Sequence, residues 1–230
     1  MNSWDKIWAK KVEDSSDSSI LSRLIKADGF DTGFGSINEH AWKKYSEYIK
    51  YKLNIKENDS IYDVGCGAGA FLYNFINITR KVGGIDYSKN LIEIARKYMQ
   101  FGDFKCAQAT DLDSLPYDHV VSNSVFFYFP SLDYSYDVLS KMCLKAKKTV
   151  AILEVNDIDV KEEFLNIRKL HLTEKEYQKK YEGLDHLFFS KSWFYDFAKK
   201  NSYQIDIEQQ NISDYQNNQF RFNVYLKMKK

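Results

Sequence analysis

The chain predicts a doubly wound α/β fold, a mostly parallel sheet covered by helices on both faces. Three observations carry this. Residues 58–156 repeat a strand–turn–helix rhythm. A glycine-rich turn, Gly65-Cys66-Gly67-Ala68-Gly69, separates the first strand from its helix. The chain ends in two runs, Tyr203–Gln209 and Phe220–Lys227, that alternate apolar and polar residues across a turn-rich Asn/Asp segment. Repeated βα units build a parallel sheet with right-handed crossovers, and alternation on either side of a turn marks an antiparallel hairpin.

In chain order, Trp4 and Trp8 stand one helical turn apart, followed by a polar run from Asp14 to Ser19 and the glycine-bearing loop 28–35. An amphipathic helix over Glu39–Lys52 places Trp42, Tyr45, Tyr48 and Ile49 on one face. Strands are predicted at Ser60–Val64, Val82–Asp86, Phe104–Ala107, His119–Asn123 and Thr149–Val155, with helices at Ala70–Ile78, Asn90–Met99 and Leu132–Leu144. Val160–Tyr181 reads as a charged helical segment too long for a plain connection, and Ser192–Lys200 as a helix with Trp193, Phe194 and Phe197 inward. With no internal repeat and no low-complexity linker, the 230 residues form one domain. Its parts are an N-terminal helical segment (1–57), a core (58–156), a helical insert (157–200) and a terminal antiparallel hairpin (201–230).

Composition narrows the function. A net charge of +1 gives no global field for nucleic acid or an anionic membrane. The clusters Lys145–Lys148 and Lys227–Lys230 read as solvated faces. Cys66, Cys106 and Cys143 have no zinc-type spacing, so no metal is expected and they read as reduced thiols of a cytoplasmic protein. Neither a signal-peptide layout nor a membrane-length apolar run is seen. Aromatic residues make up 16% of the chain, enough either to fill a Phe/Tyr-rich core or to wall a ligand pocket.

The chemistry starts at Asp63-Val64-Gly65-Cys66-Gly67-Ala68-Gly69. Glycines here let the backbone approach a ligand, and an acid about twenty positions on, Asp86, stands where ribose hydroxyls are accepted. The rival is a dinucleotide site with G-x-G-x-x-G spacing, which presents helix N–H groups to a pyrophosphate. The spacing here is G-x-G-x-G, and Asp63 just before the turn would repel a pyrophosphate while suiting a cofactor with an ammonium and a sulfonium.

Ile61–Gly69 resembles the first motif of class I S-adenosylmethionine-dependent methyltransferases, and Gly84-Ile85-Asp86-Tyr87-Ser88 resembles the second. The resemblance covers residues 58–156 and, more loosely, the end of the chain. It implies a seven-stranded sheet whose last strand runs antiparallel. It also implies S-adenosylmethionine (SAM) as cofactor and S-adenosylhomocysteine (SAH) as product. Carried over, Asp63 with Gly65, Cys66 and Gly67 would hold the methionine moiety, Asp86 the ribose, and Tyr87 would lie beside the adenine. Gln108 takes the place of an acid that often contacts the adenine amine, with Ala109 next to it, and Asp111 is the alternative. Asn123 and Ser124, after the fourth strand, would line the sulfonium pocket.

A hydroxyl acceptor needs a base, whereas a neutral amine needs positioning only. His119, at the amino end of its strand, reads as structural, since ligands bind at the strand C-termini. His186, among Leu187, Phe188 and Phe189, and His40 at the start of the N-terminal helix are the candidate bases, with His171 behind them. Tyr128 is a candidate for orienting the acceptor. Trp4, Trp8, Phe30, Phe34 and Trp42 either pack on the sheet edge or form a lid over the cofactor, hinged at the glycines of the 28–35 loop. A lid predicts that removing residues 1–36 weakens cofactor binding and leaves the sheet folded. The expected function is methylation of a small-molecule hydroxyl on a metabolite, sugar or natural-product intermediate. A small amine acceptor and a non-catalytic SAM-binding protein are the alternatives. Nucleic acid and membrane are not expected as partners, and nothing in the chain fixes its oligomeric state.

Overall fold

The computed structural model describes residues 3–8, 10–11, 13, 19–31, 35–170 and 173–228. Seven strands form one sheet in the order β3-β2-β1-β4-β5-β7-β6. They are β1 Ile61–Val64, β2 Val82–Asp86, β3 Asp103–Cys106, β4 Tyr117–Asn123, β5 Ala146–Asn156, β6 Gln204–Gln209 and β7 Arg221–Lys227. The first five pair in parallel, and β7 lies antiparallel between β5 and β6. The strand order reverses beside β1, so the C-terminal ends of β1, β2 and β4 open a crevice of the kind that binds ligands in doubly wound sheets.

Alternation along the central strands divides the core between the two faces. Ile61, Val121, Ala151, Leu153 and Tyr225 pack under α2 (Ile20–Ala27), α3 (Glu39–Leu53), α4 (Ala70–Tyr73) and α5 (Lys89–Tyr98). Tyr62, Val120, Val150, Ile152, Val224 and Leu226 pack under α6 (Leu132–Lys145) and α9 (Lys191–Asn201). A third, smaller cluster of Phe164, Phe188 and Phe220 lies beneath α7 (Lys161–Lys169), in the insert that also contains α8 (Glu174–Tyr181).

Four expectations need correction. The helix after the glycine turn stops at Tyr73, because Asn74, Asn77 and the β-branched Ile76 and Ile78 favour the turns that follow. The segment 160–181 is two helices: Thr173 caps α8 in a capping box with Glu176, whose carboxylate accepts the Thr173 N–H at 2.8 Å. Helix α2 is absent from the sequence reading. It starts at the Ser19 cap and buries Leu21, Leu24 and Ile25, so this stretch belongs to the core. Lys145 is buried rather than solvated, with Nζ 2.6 Å from Asp113 Oδ1 and 4.2 Å from the Tyr62 ring centre. Short α1 (Ser3–Trp8) lies across the crevice: Trp4 Nε1 donates to the Asp185 carbonyl at 3.1 Å, and the Trp8 carbonyl accepts from Ser88 Oγ at 3.1 Å. Phe34 and His171 lie outside the described residues. Among the described residues, no helix is long and apolar enough to cross a membrane.

Candidate active site

The glycine turn is folded back against β2, with the N–H groups of Gly65 and Cys66 both donating to the Ile85 carbonyl, at 2.7 and 3.1 Å. Gly65 has φ +78°, and a Cβ there would come within 2.4 Å of Val125 Cγ2; Gly67 has φ +53°, and a Cβ there would meet Asp28 Oδ1 at 2.2 Å. Both positions therefore exclude a side chain for reasons of conformation and of space. The turn is held from two sides. Asp86 accepts from Gly67 N at 3.0 Å and from Ser88 N at 2.8 Å. Asp28, from the end of α2, accepts from Ala68 N at 2.6 Å and Ala70 N at 3.0 Å, capping α4 from another part of the chain.

Asp63, Asp28 and Asp86 face one cavity of about 770 Å³, within the roughly 300–1,000 Å³ range of small-molecule sites. Asp63 is only 2% exposed and its Oδ1 has no hydrogen-bond partner. Burial, then the charges of Asp28 and Asp86, raise its carboxyl well above the usual range. Burial also pushes Asp28 up to about 7, with Asp86 adding to it, and Asp86 up to about 6. Three clustered carboxyls, one with an orphaned oxygen, suit a cationic ligand and would repel a pyrophosphate. The residues fit SAM on this ground. Tyr87 and Gln108 line the cavity with Ala109, whereas Asp111 is not part of the lining and accepts from the Gln108 N–H at 3.2 Å. Cys66 also lines it, with its side chain against Gly84, where a Cβ would meet it at 2.6 Å.

Asn123 and Ser124 also line the cavity. Tyr45 from α3 donates to Asn123 Oδ1 at 2.9 Å, and Ser124 donates to Glu154. Ser124 and Glu154 both have left-handed backbone, φ +60° and +62°, and the β5–β7 register slips between Ile152 and Val155. A bulge thus turns the Glu154 side chain of an apolar strand into the cavity, where Tyr215 donates to it and Arg221 Nε lies 3.6 Å away.

Beyond Glu154 the cavity becomes an aromatic chamber. His186 stacks on Trp4 with ring centres 4.9 Å apart and meets the Tyr128 ring edgewise at 5.3 Å. Both its ring nitrogens are buried without partners. Burial, then the charges of Arg168 and Arg221, hold it neutral, well below the ordinary histidine value. Burial raises the Tyr128 phenol above its usual value, keeping it a proton-bearing hydroxyl. His40 is a correction: it is exposed on α3 and does not line the cavity, because the buried face of that helix is formed by Ala41, Trp42 and Tyr45. His119 lies at the other end of its strand, held by Thr149 at 2.7 Å and Asp59 at 3.0 Å.

The sequence reading missed Asp28, Glu154, Tyr215 and Arg221. Only Glu154 carries a local signal, as the one charge in Thr149-Val150-Ala151-Ile152-Leu153-Glu154-Val155.

A family model described as a methyltransferase domain matches residues 55–218. The fold is similar to that of plantazolicin methyltransferase BpumL, solved with SAH and a pentazolic desmethylPZN analog, at TM-score 0.61 and 17% identity over 100% of both chains. It is similar also to magnesium protoporphyrin IX methyltransferase from Synechocystis PCC 6803 with bound SAH, at TM-score 0.63 and 12% identity over 99% of this chain and 95% of that one. Among curated proteins, an uncharacterized protein of Haemophilus influenzae is 28% identical over 117 residues, 48% of this chain. A nonribosomal peptide synthetase of Emericella nidulans is 27% identical over 124 residues. The chain spans 42% of the length of the first and 5% of the second.

Proposed function

The chain belongs to the family of S-adenosylmethionine-dependent methyltransferase domains, and on that premise we propose that it methylates a hydroxyl of a small molecule, such as a metabolite, sugar or natural-product intermediate. The observation that carries this reading is one continuous cavity lined both by the acidic glycine turn and by the aromatic rings around His186.

When bound, SAM supplies an electrophilic methyl group; the protein's part is alignment, exclusion of water and proton handling. Asp63 offers its unpartnered oxygen to the cofactor ammonium, and Asp86 retains lone pairs for the ribose hydroxyls. Asn123 and Ser124 line the same cavity, and Trp4 and Trp8 pack against the Tyr128 ring of the chamber. His186, with both nitrogens unengaged, is the group that takes the acceptor's proton, although burial and the charges of Arg168 and Arg221 weaken it as a base, while Tyr128 orients the acceptor through its hydroxyl. The absence of a strong basic field and the three free cysteines support a small-molecule role in a reducing cytoplasm.

Calorimetry with SAM and SAH, followed by a labelled-methyl screen of metabolite extracts, tests the reading. The expected result is binding of both and transfer to a small molecule; binding without transfer to anything would sink it. With the acceptor known, His186→Ala is expected to lower kcat by about 10²-fold or more. Unchanged turnover would favour an amine acceptor that needs only positioning.

A further inference from the structure

Away from the three aspartates the cavity is lined by a cation with two unused donors. Arg221 is 4% exposed, yet its Nε and Nη1 have no hydrogen-bond partner. Its guanidinium lies over Phe127, 4.6 Å from the ring centre, and 5.3 Å from that of Phe164, so its plane is fixed by packing. Glu154 stands 3.6 Å from Nε and balances the charge, and its own oxygens accept from Tyr215 and Ser124. A buried guanidinium with open donors costs stability unless something accepts from them.

We infer that Arg221 anchors a carboxylate of the methyl acceptor, and that the acceptor is therefore a small acid with a flat apolar body. This rests on reading the cavity as a methyltransferase site. An unengaged guanidinium N–H gives a carboxylate oxygen a charge-assisted bond, shorter and stronger than one between neutral groups. The surrounding rings of Phe127, Phe164 and His186 give an aromatic body its contact surface. A phosphate dianion fits less well, because Glu154 already stands beside the guanidinium. The cofactor's own carboxylate is the competing occupant. Arg221 lies against rings of the insert and the post-β4 turn, whereas the glycine turn is bordered by Asp28, Asp63 and Asp86.

The test uses the full chain with SAH, titrated with benzoate, phenylacetate and trans-cinnamate, their amides, and phenyl phosphate, followed by calorimetry and ligand-observed NMR. At least one carboxylate is expected to bind about tenfold or more tighter than its amide and than phenyl phosphate. Arg221→Gln is expected to abolish that preference. The paired variant Glu154→Gln with Arg221→Gln, which removes both charges together, provides the same comparison if the single variant unfolds. Equal binding of acids and amides, no binding by any acid, or preference for phenyl phosphate would each overturn the proposal. So would an Arg221→Gln loss of SAH affinity as large as the loss for the acid, which would give Arg221 to the cofactor. Failure of the wild-type chain to bind SAH would instead refute the methyltransferase reading, independently of the acid–amide comparison.

Discussion

The three aspartates at the glycine turn connect the cofactor's charge to pH. Burial lifts Asp28 to about 7 and Asp86 to about 6, so in the free protein both carry protons at mildly acidic pH. A sulfonium and an ammonium favour the ionised forms, so binding expels those protons. SAM affinity should climb as pH rises through about 6 to 7, where Asp86 and Asp28 ionise, and SAH, lacking the sulfonium charge, should climb less steeply. Calorimetry in two buffers of different ionisation enthalpy counts the protons; uptake, or none released at pH 6, would contradict the linkage. The same shifts act on stability in the opposite sense to a salt-bridged carboxylate. Their folded values lie above the unfolded 3.8, so the unfolded chain loses its protons first. The free protein is therefore destabilised as pH rises from about 4 to 7, and a bound cation offsets that loss.

The elements show where the sequence was legible. The glycine turn and β1–β2 were readable because their constraints are local: close backbone approach at Gly65 and Gly67, and an acid at a fixed distance along the chain. Glu154 and Arg221 meet only because β7 inserts beside β5 with a register slip, a pairing that no local pattern encodes. The N-terminal region divides in the same way. Helix α2 buries Leu21, Leu24 and Ile25 and supplies Asp28, whereas α1 places Trp4 and Trp8 over the cavity. Removing residues 1–36 would therefore strip part of the core as well as the cover, contrary to the expectation of an intact sheet. Removing residues 1–13 isolates the cover, leaving α2 in place. That truncation is expected to weaken SAH binding about tenfold or more while keeping the thermal midpoint of the ligand-free chain within a few degrees. Unchanged affinity would mean that α1 is mere packing, and loss of the cooperative transition would mean that it belongs to the core.

Taken whole, the sheet separates function from stability along the strand direction. The C-terminal ends of β1, β2 and β4 carry the acids and the chamber, while the opposite end carries a closed polar network around His119. Burial outweighs the pull of Asp59 and lowers the His119 value, so the folded protein keeps it neutral. The Asp59 carboxyl, despite burial, is held down to about 2 by Lys148, the Lys56 N–H and His119. An unfolded chain protonates this histidine below about 6.5, so the network's stability is present above that pH and falls as pH drops toward the folded value. His119→Ala removes one partner from each of two buried groups and should cost about 2 kcal/mol, about 4–8 °C in thermal midpoint for a chain of this size. The wild-type margin over the variant should narrow as pH falls below about 6.5, since the variant has no histidine here to protonate. SAH affinity, measured well below either midpoint, should stay within about twofold, because the network touches no residue of the cavity. A parallel fall in affinity would mean that the two ends of the sheet are mechanically coupled.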